Sequence, residues 1–138
     1  MRFYGVKIKC AIIAHFIFCE SRLRYILEDT SSLARVLKLK IVFAHCGGNF
    51  YRELLCLTER FENAYLDTAW LRHYAKRAFP TVDIHDWIEH AVKIACSEKI
   101  LFAGEGTLPG DIRQCRLTDE QKENILWRNA AKLYKLKV

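Results

Sequence analysis

The stretch that decides the fold is KIVFAHCGGNFYRELLCLTERFENAYLDTAW, residues 40–70. It begins with an unbroken apolar run, Ile41–Ala44, which stops at His45 and is followed by a glycine turn and a helical pattern. A continuous apolar run is typical of a strand buried on both faces. A second run, Ala64–Leu66, stops at Asp67. Because α/β folds present active-site groups where strands end, His45 and Asp67 are the first candidate site residues.

Strands and helices alternate along the rest of the chain. Thr118 and Gln121 predict a helix-starting capping box, and Asn49 and Asp83 predict two further N-caps. Alternation of this kind favours a parallel sheet with right-handed crossovers. We therefore expect an α/β fold in one domain, 1–138, with strands at 3–9, 11–18, 40–44, 63–67 and 99–103 and a last helix that buries Ile125, Leu126, Ala130, Leu133 and Tyr134.

Composition narrows the class of protein. The chain has 138 residues, 51% of them apolar, which is enough for a core and too many for a disordered chain. The net charge is +6, but the basic residues are scattered, so no nucleic-acid partner is expected. No stretch is long enough to predict a membrane span.

The six cysteines contain no C-x-x-C pair, and most lie in apolar segments. This usage predicts free thiols in a reducing cytoplasm, with no disulfide framework and no structural zinc site. The N-terminal residues look a little like a signal peptide, because basic residues precede the apolar stretch Ala11–Cys19. However, His15 interrupts this stretch, and no small-x-small cleavage site follows it.

Four predicted strand ends carry titratable side chains: His15, His45, Asp67 and Glu105. In a parallel sheet these ends meet at one rim. Imidazole and carboxylate groups are ligands for zinc, and a zinc-bound water becomes a nucleophile near neutral pH. The alternative is that each histidine is a core residue of its apolar strand. Cys46 is not favoured as a nucleophile, since adjacent strand residues point to opposite faces.

The residues IVFAHCGG at 41–48 resemble the A-H-x-G-G strand of the amidohydrolase-related metal-dependent hydrolases, in the branch of the aminocarboxymuconate-semialdehyde decarboxylase-like enzymes. Other segments resemble motifs of the same family. They are FYGVKI at 3–8, IIAH at 12–15, NAYLDT at 63–68, KILFAGE at 99–105 and ILWRNAAKL at 125–133.

The resemblance implies a TIM-type (β/α)₈ barrel with a divalent metal at the carboxyl ends of the strands, and zinc is the metal we expect there. It places His15 at the position of a metal-ligand histidine in the family, and His45 at the position of the catalytic histidine beside the metal. Glu105 falls at a position that binds metal or acts as a base. Asp67 is the candidate substrate-binding residue, and no other cofactor is expected.

Three departures from the family pattern shape the expected architecture. The chain has no H-x-H strand, Glu105 stands where the family has aspartate, and the segments after Cys10 and after Pro109 are shorter than those of the family. We therefore expect only the C-terminal part of a barrel, an incomplete TIM-type sheet of about five parallel strands with outer helices. Its open edges and apolar inner face predict a homo-oligomer, or a partner chain that covers the sheet.

Two functions follow as expectations. The first is a metal-dependent hydrolase or decarboxylase that acts on a small carboxylated or cyclic substrate through a metal-activated water, impaired or inactive in this chain. The second is a non-catalytic α/β scaffold or subunit that has lost the metal site, in keeping with the missing H-x-H strand.

Overall fold

The computed structural model describes residues 11–14 and 40–137. Within them, four strands form one parallel sheet in the order β1-β2-β3-β4. The α/β class and the parallel sheet are confirmed, whereas the predicted strand at 3–9 lies outside the described residues. The strands are β1 (Ala11–Ala14), β2 (Lys40–Phe43), β3 (Ala64–Asp67) and β4 (Ile100–Leu101).

Helices connect the later strands and close the chain. The last of them begins with α5 (Asp119–Glu123), continues through a π-helical segment (Asn124–Arg128) and ends with α6 (Asn129–Tyr134). We call this whole unit, residues 119–134, the terminal helix. A short 3₁₀ turn, Ser97–Lys99, leads into β4. The α-helices are α1 (Tyr51–Arg60), α2 (Leu71–Arg77), α3 (Ile84–Ala95), α4 (Pro109–Gln114), α5 (Asp119–Glu123) and α6 (Asn129–Tyr134).

The main core lies between one face of the sheet and the helices. Because side chains alternate along a strand, Ile41 and Phe43 of β2 point to the same face, where Leu66 and Ile100 join them. The amphipathic helix α3 covers this face, and Ile88 on its buried stripe has no exposed surface. This layer corresponds to the outer layer predicted from the sequence.

The second face of the sheet is also packed. Val42 and Leu101, which point away from the main core, form a buried cluster with Leu133, and Tyr65 and Ala130 pack around it. The sequence predicted exposed apolar surface on this face. That expectation is wrong at these positions, because the end of the terminal helix lies against them.

The helix-start predictions are mostly confirmed. Asp83 accepts a hydrogen bond from the backbone N–H of His85 (2.8 Å), and Thr118 and Gln121 form the predicted capping box. Asn49 is not an N-cap. Phe50 holds that position, and its side chain makes no capping hydrogen bond.

Two further details differ from the expectations. The strand predicted at 99–103 has only two residues, because Phe102 and Ala103 donate their backbone N–H groups to a helix carbonyl and to a threonine hydroxyl. Tyr134 was expected to be buried but is 38% exposed, at the end of the terminal helix. Among the described residues, no helix combines the length and apolar character needed to cross a membrane.

Candidate functional site

A left-handed turn carries His45 directly after β2. Four consecutive residues have positive φ: His45 (61°), Cys46 (48°), Gly47 (87°) and Gly48 (52°). We call residues 45–48 the left-handed turn. The conformation suits glycine but costs a non-glycine residue about 1–2 kcal/mol. Strained backbone of this kind is concentrated at functional sites, where surrounding contacts hold it in place.

Asp67 supplies those contacts from the end of β3. Its Oδ1 accepts the backbone N–H of His45 (2.8 Å) and the backbone N–H of Ala69 (3.0 Å). A carboxylate makes stronger hydrogen bonds to backbone N–H groups than a neutral acceptor does. The structure thus gives Asp67 a structural function, in which it ties the left-handed turn to the β3–α2 loop. Its predicted role in substrate binding stays a prediction.

The imidazole of His45 is oriented by the same loop. Its Nδ1 lies 2.9 Å from the carbonyl oxygen of Ala69. A carbonyl oxygen can only accept a hydrogen bond, so Nδ1 carries the proton. In the neutral ring, Nε2 then bears the basic lone pair. The ring is half-buried, and the catalytic role that the sequence predicted for His45 stays a prediction.

Aromatic rings flank His45. The ring of Tyr74 stacks on it with a centroid distance of 5.5 Å, and Trp70 lies 6.3 Å away with 43% of its surface exposed. His73 packs against both Trp70 and Tyr74. These rings come from α2 and the residue before it, so α2 forms an aromatic wall beside the candidate base.

Gly48 makes room for that wall. A Cβ atom at Gly48 would lie 3.0 Å from the ring of Tyr74, and φ at Gly48 is positive. We therefore expect Gly48→Ala to lower the free energy of unfolding by about 1–3 kcal/mol, measured by urea denaturation. Gly110→Ala is the matched control, since a Cβ there meets nothing within 4 Å. Equal destabilisation by the two variants would contradict this account of the turn.

Glu105 lies in the loop after β4, residues 102–107, which we call the site loop. Its side chain is exposed, and its carbonyl oxygen accepts a hydrogen bond from the backbone N–H of Trp70. The structure therefore attaches the backbone of the site loop to the residue that flanks His45. The predicted roles of Glu105 as metal ligand and base stay predictions.

Two buried threonines, which the sequence analysis missed, fix the site loop. Thr68 Oγ1 accepts the backbone N–H of Ala103 (3.0 Å), and Thr107 Oγ1 donates to the carbonyl of Thr68 (2.6 Å). Both threonines are fully buried. The only sequence signal is that Thr68 directly follows Asp67 at a strand end, and nothing local marks Thr107.

An ion pair with a buried carboxylate, also missed, holds the next segment. Asp111 is 4% exposed, and its Oδ1 pairs with the guanidinium of Arg72 on α2. Its Oδ2 accepts the backbone N–H of Leu108 (2.8 Å). The pair joins α2, which carries the aromatic wall, to the end of the site loop.

Cys46 does not supply a thiolate. It is a free thiol with no exposed surface, and burial raises its pKa, with a further contribution from the negative charge of Asp67. A thiol is nucleophilic only when ionised. Its burial agrees with the expectation that Cys46 is not a nucleophile, but the reason given from the sequence is wrong, because Cys46 lies in the left-handed turn and not on a strand.

The described residues do not fit a complete metal site. Among residues 11–14 and 40–137, no three histidine, cysteine, aspartate or glutamate side chains converge. A protein zinc site needs at least three such ligands. His15, the predicted metal ligand, lies outside the described residues.

Comparison with known proteins decides the family. A family model described as amidohydrolase matches residues 6–136. The chain belongs to the amidohydrolase family. This amidohydrolase sequence therefore carries a hydrolase-type domain related to TIM barrels, in a family whose members usually bind divalent metals. A search of curated proteins finds no match to it.

Proposed function

We infer that this chain is a hydrolase of the aminocarboxymuconate-semialdehyde decarboxylase-like branch that acts on a small carboxylated or cyclic substrate in the cytoplasm. The observation that supports this most is the fixed orientation of His45 at the end of β2. In a complete site, His15 and Glu105 would bind a divalent metal, for which zinc is the first candidate. That metal would supply an activated water. Since the sequence has no H-x-H strand, which supplies two metal ligands in the family, the proposal includes impaired activity.

His45 is the acid–base group of this proposal. With Nδ1 held by the carbonyl of Ala69, Nε2 accepts a proton from the attacking water and later donates it to the leaving group of the substrate. The hydrogen bond to Ala69 and the stacked ring of Tyr74 keep the imidazole from rotating away. A positioned acid–base group contributes about 10²–10⁴-fold to rate.

The test compares two histidine variants of the full chain. Asparagine tolerates left-handed backbone, so His45→Asn keeps the turn. We expect His45→Asn to lower turnover of small lactones and carboxylic acid esters by about 10²-fold or more. His73→Asn is the control, because His73 packs against the same rings but is exposed and lies outside the turn. Equal turnover by wild type and His45→Asn would overturn the proposal.

The second candidate is a non-catalytic α/β scaffold. One observation favours it: the sequence lacks the H-x-H strand that supplies two metal ligands in the family. A scaffold would hydrolyse none of these lactones and esters, with or without added zinc or manganese. It would still unfold cooperatively, because the buried core between the sheet and the helices is intact.

A further inference from the structure

The carbonyl that orients His45 belongs to a peptide group that is held at its other end by the site loop. Ala69 and Trp70 share this peptide group. Its carbonyl oxygen, that of Ala69, lies 2.9 Å from Nδ1 of His45. Its N–H, that of Trp70, donates to the carbonyl oxygen of Glu105. Because a peptide group is planar, its carbonyl and its N–H move together. The bond to Glu105 therefore restricts where the acceptor for His45 can lie.

The preceding peptide group, which Thr68 and Ala69 share, is also held at both ends. Its N–H, that of Ala69, donates to Oδ1 of Asp67 (3.0 Å). Its carbonyl oxygen, that of Thr68, accepts a hydrogen bond from the hydroxyl of Thr107 (2.6 Å). Thr68 and Thr107 are fully buried, so water does not compete for the bond between them. The two peptide groups that meet at Ala69 are thus fixed on both sides.

Thr107 is the side chain through which the site loop takes part in this arrangement. The other contacts of the loop with residues 68–70 come from its backbone, namely the carbonyl of Glu105 and the N–H of Ala103, which donates to Thr68 Oγ1 (3.0 Å). A backbone contact survives a change of side chain only while the loop stays in place. The hydroxyl of Thr107 is therefore a group that can affect the acceptor of His45 without touching His45 itself.

The hydrogen bonds at Ala69 also act in series. The carbonyl that accepts from His45 and the N–H that donates to Glu105 belong to one peptide group. Hydrogen bonds linked in this way polarise one another, so each bond in the chain becomes stronger. A stronger acceptor at Ala69 favours the tautomer of the neutral imidazole that carries its proton on Nδ1.

We propose that Thr107 is a positioning residue for His45. Its bond to the carbonyl of Thr68 holds the neighbouring carbonyl of Ala69 where it keeps the imidazole proton on Nδ1. Without this bond the two neutral tautomers come closer in free energy, and Nε2 is less often the basic atom. The catalytic meaning of this inference rests on the proposed acid–base function of His45, but the state of the ring can be measured without any turnover.

The test compares two variants of Thr107 in the full chain. Thr107→Val keeps a branched side chain of similar size and removes the hydroxyl, whereas Thr107→Ser keeps the hydroxyl. By ¹⁵N NMR of the neutral imidazole, we expect Thr107→Val to raise the Nε2-protonated share of His45 roughly fivefold or more. Thr107→Ser should stay near the wild-type share. A folded Thr107→Val chain with the wild-type share would overturn the proposal.

Thr58→Val separates positioning from a general loss of stability. Thr58 is also fully buried, and its hydroxyl donates to a backbone carbonyl, that of Leu54 (2.7 Å), but both residues lie on α1. The variant loses the same kind of bond, so we expect a similar shift of the urea midpoint and no change in the tautomer share of His45. An equal change of that share in both valine variants would mean that Thr107 has no specific effect, and the proposal would fail.

Hydrogen exchange of the wild-type chain gives an answer even if Thr107→Val does not fold. The amides of Trp70 and Ala103 should be released in the same opening, because each is bonded between residues 68–70 and the site loop. Fast exchange at Trp70 beside a protected Ala103 would contradict the proposal. The proposed function fails separately, since wild-type turnover by His45→Asn together with a shifted tautomer in Thr107→Val would remove that function and support the positioning role.

Discussion

Asp67→Ala is expected to lower the free energy of unfolding by about 2–4 kcal/mol, since two backbone N–H groups lose their acceptor. One of them belongs to His45, in the left-handed conformation that this bond stabilises. The loss is measured by urea denaturation. The same variant should lower any turnover that depends on His45, because the turn no longer holds the ring.

Asp67→Asn is the matched control. An amide oxygen can still accept the N–H groups of His45 and Ala69, without the added strength that a negative charge gives. We expect it to recover more than half of the stability that alanine loses. If asparagine and alanine were equally destabilising, or if alanine cost less than about 0.5 kcal/mol, Asp67 would not be the residue that holds the turn.

Asp111→Ala is expected to cost a further large amount, about 2–4 kcal/mol of unfolding free energy. Removing one partner of a buried ion pair costs about 3–5 kcal/mol, and the 42% exposure of the Arg72 side chain reduces that figure. The backbone N–H of Leu108 also loses its acceptor. The loss is measured by urea denaturation. We also expect limited proteolysis of the variant to cut the site loop first, because the bond between Leu108 and Asp111 fixes the end of that loop.

Asp86→Ala provides the comparison for Asp111. Asp86 also pairs with an arginine, Arg116, but both side chains are more than half exposed. Exposed pairs contribute little, so the variant should cost less than about 1 kcal/mol. If the two aspartate variants destabilised the protein equally, the effect at Asp111 would not come from the burial of its charge.

The features predicted correctly from the sequence are those with local signals. The apolar run before His45 identified β2, and Asp83 and Thr118 identified two helix starts, because a cap is set by residues within one turn. Asn49 also carried a local signal, but that prediction was wrong. The left-handed turn precedes α1, and the helix has Phe50 at its N-cap position with no capping side chain.

The parts that escaped prediction depend on contacts between distant residues. His45 and Asp67 were both recognised as strand ends, and the sheet brings them together. That Asp67 accepts backbone N–H groups cannot be read from spacing. Neither can the bond between Ile125 and Phe102, which requires a π-helical segment with no sequence signature here.

The tautomer of His45 tests the account most directly. ¹⁵N NMR of the imidazole ring in the full, wild-type chain distinguishes a protonated nitrogen from one that bears a lone pair. We expect the neutral ring to carry its proton on Nδ1, which donates to the carbonyl of Ala69, so that Nε2 is the basic atom. A proton on Nε2, or rapid averaging between the two nitrogens, would contradict the fixed orientation on which the proposed acid–base role depends.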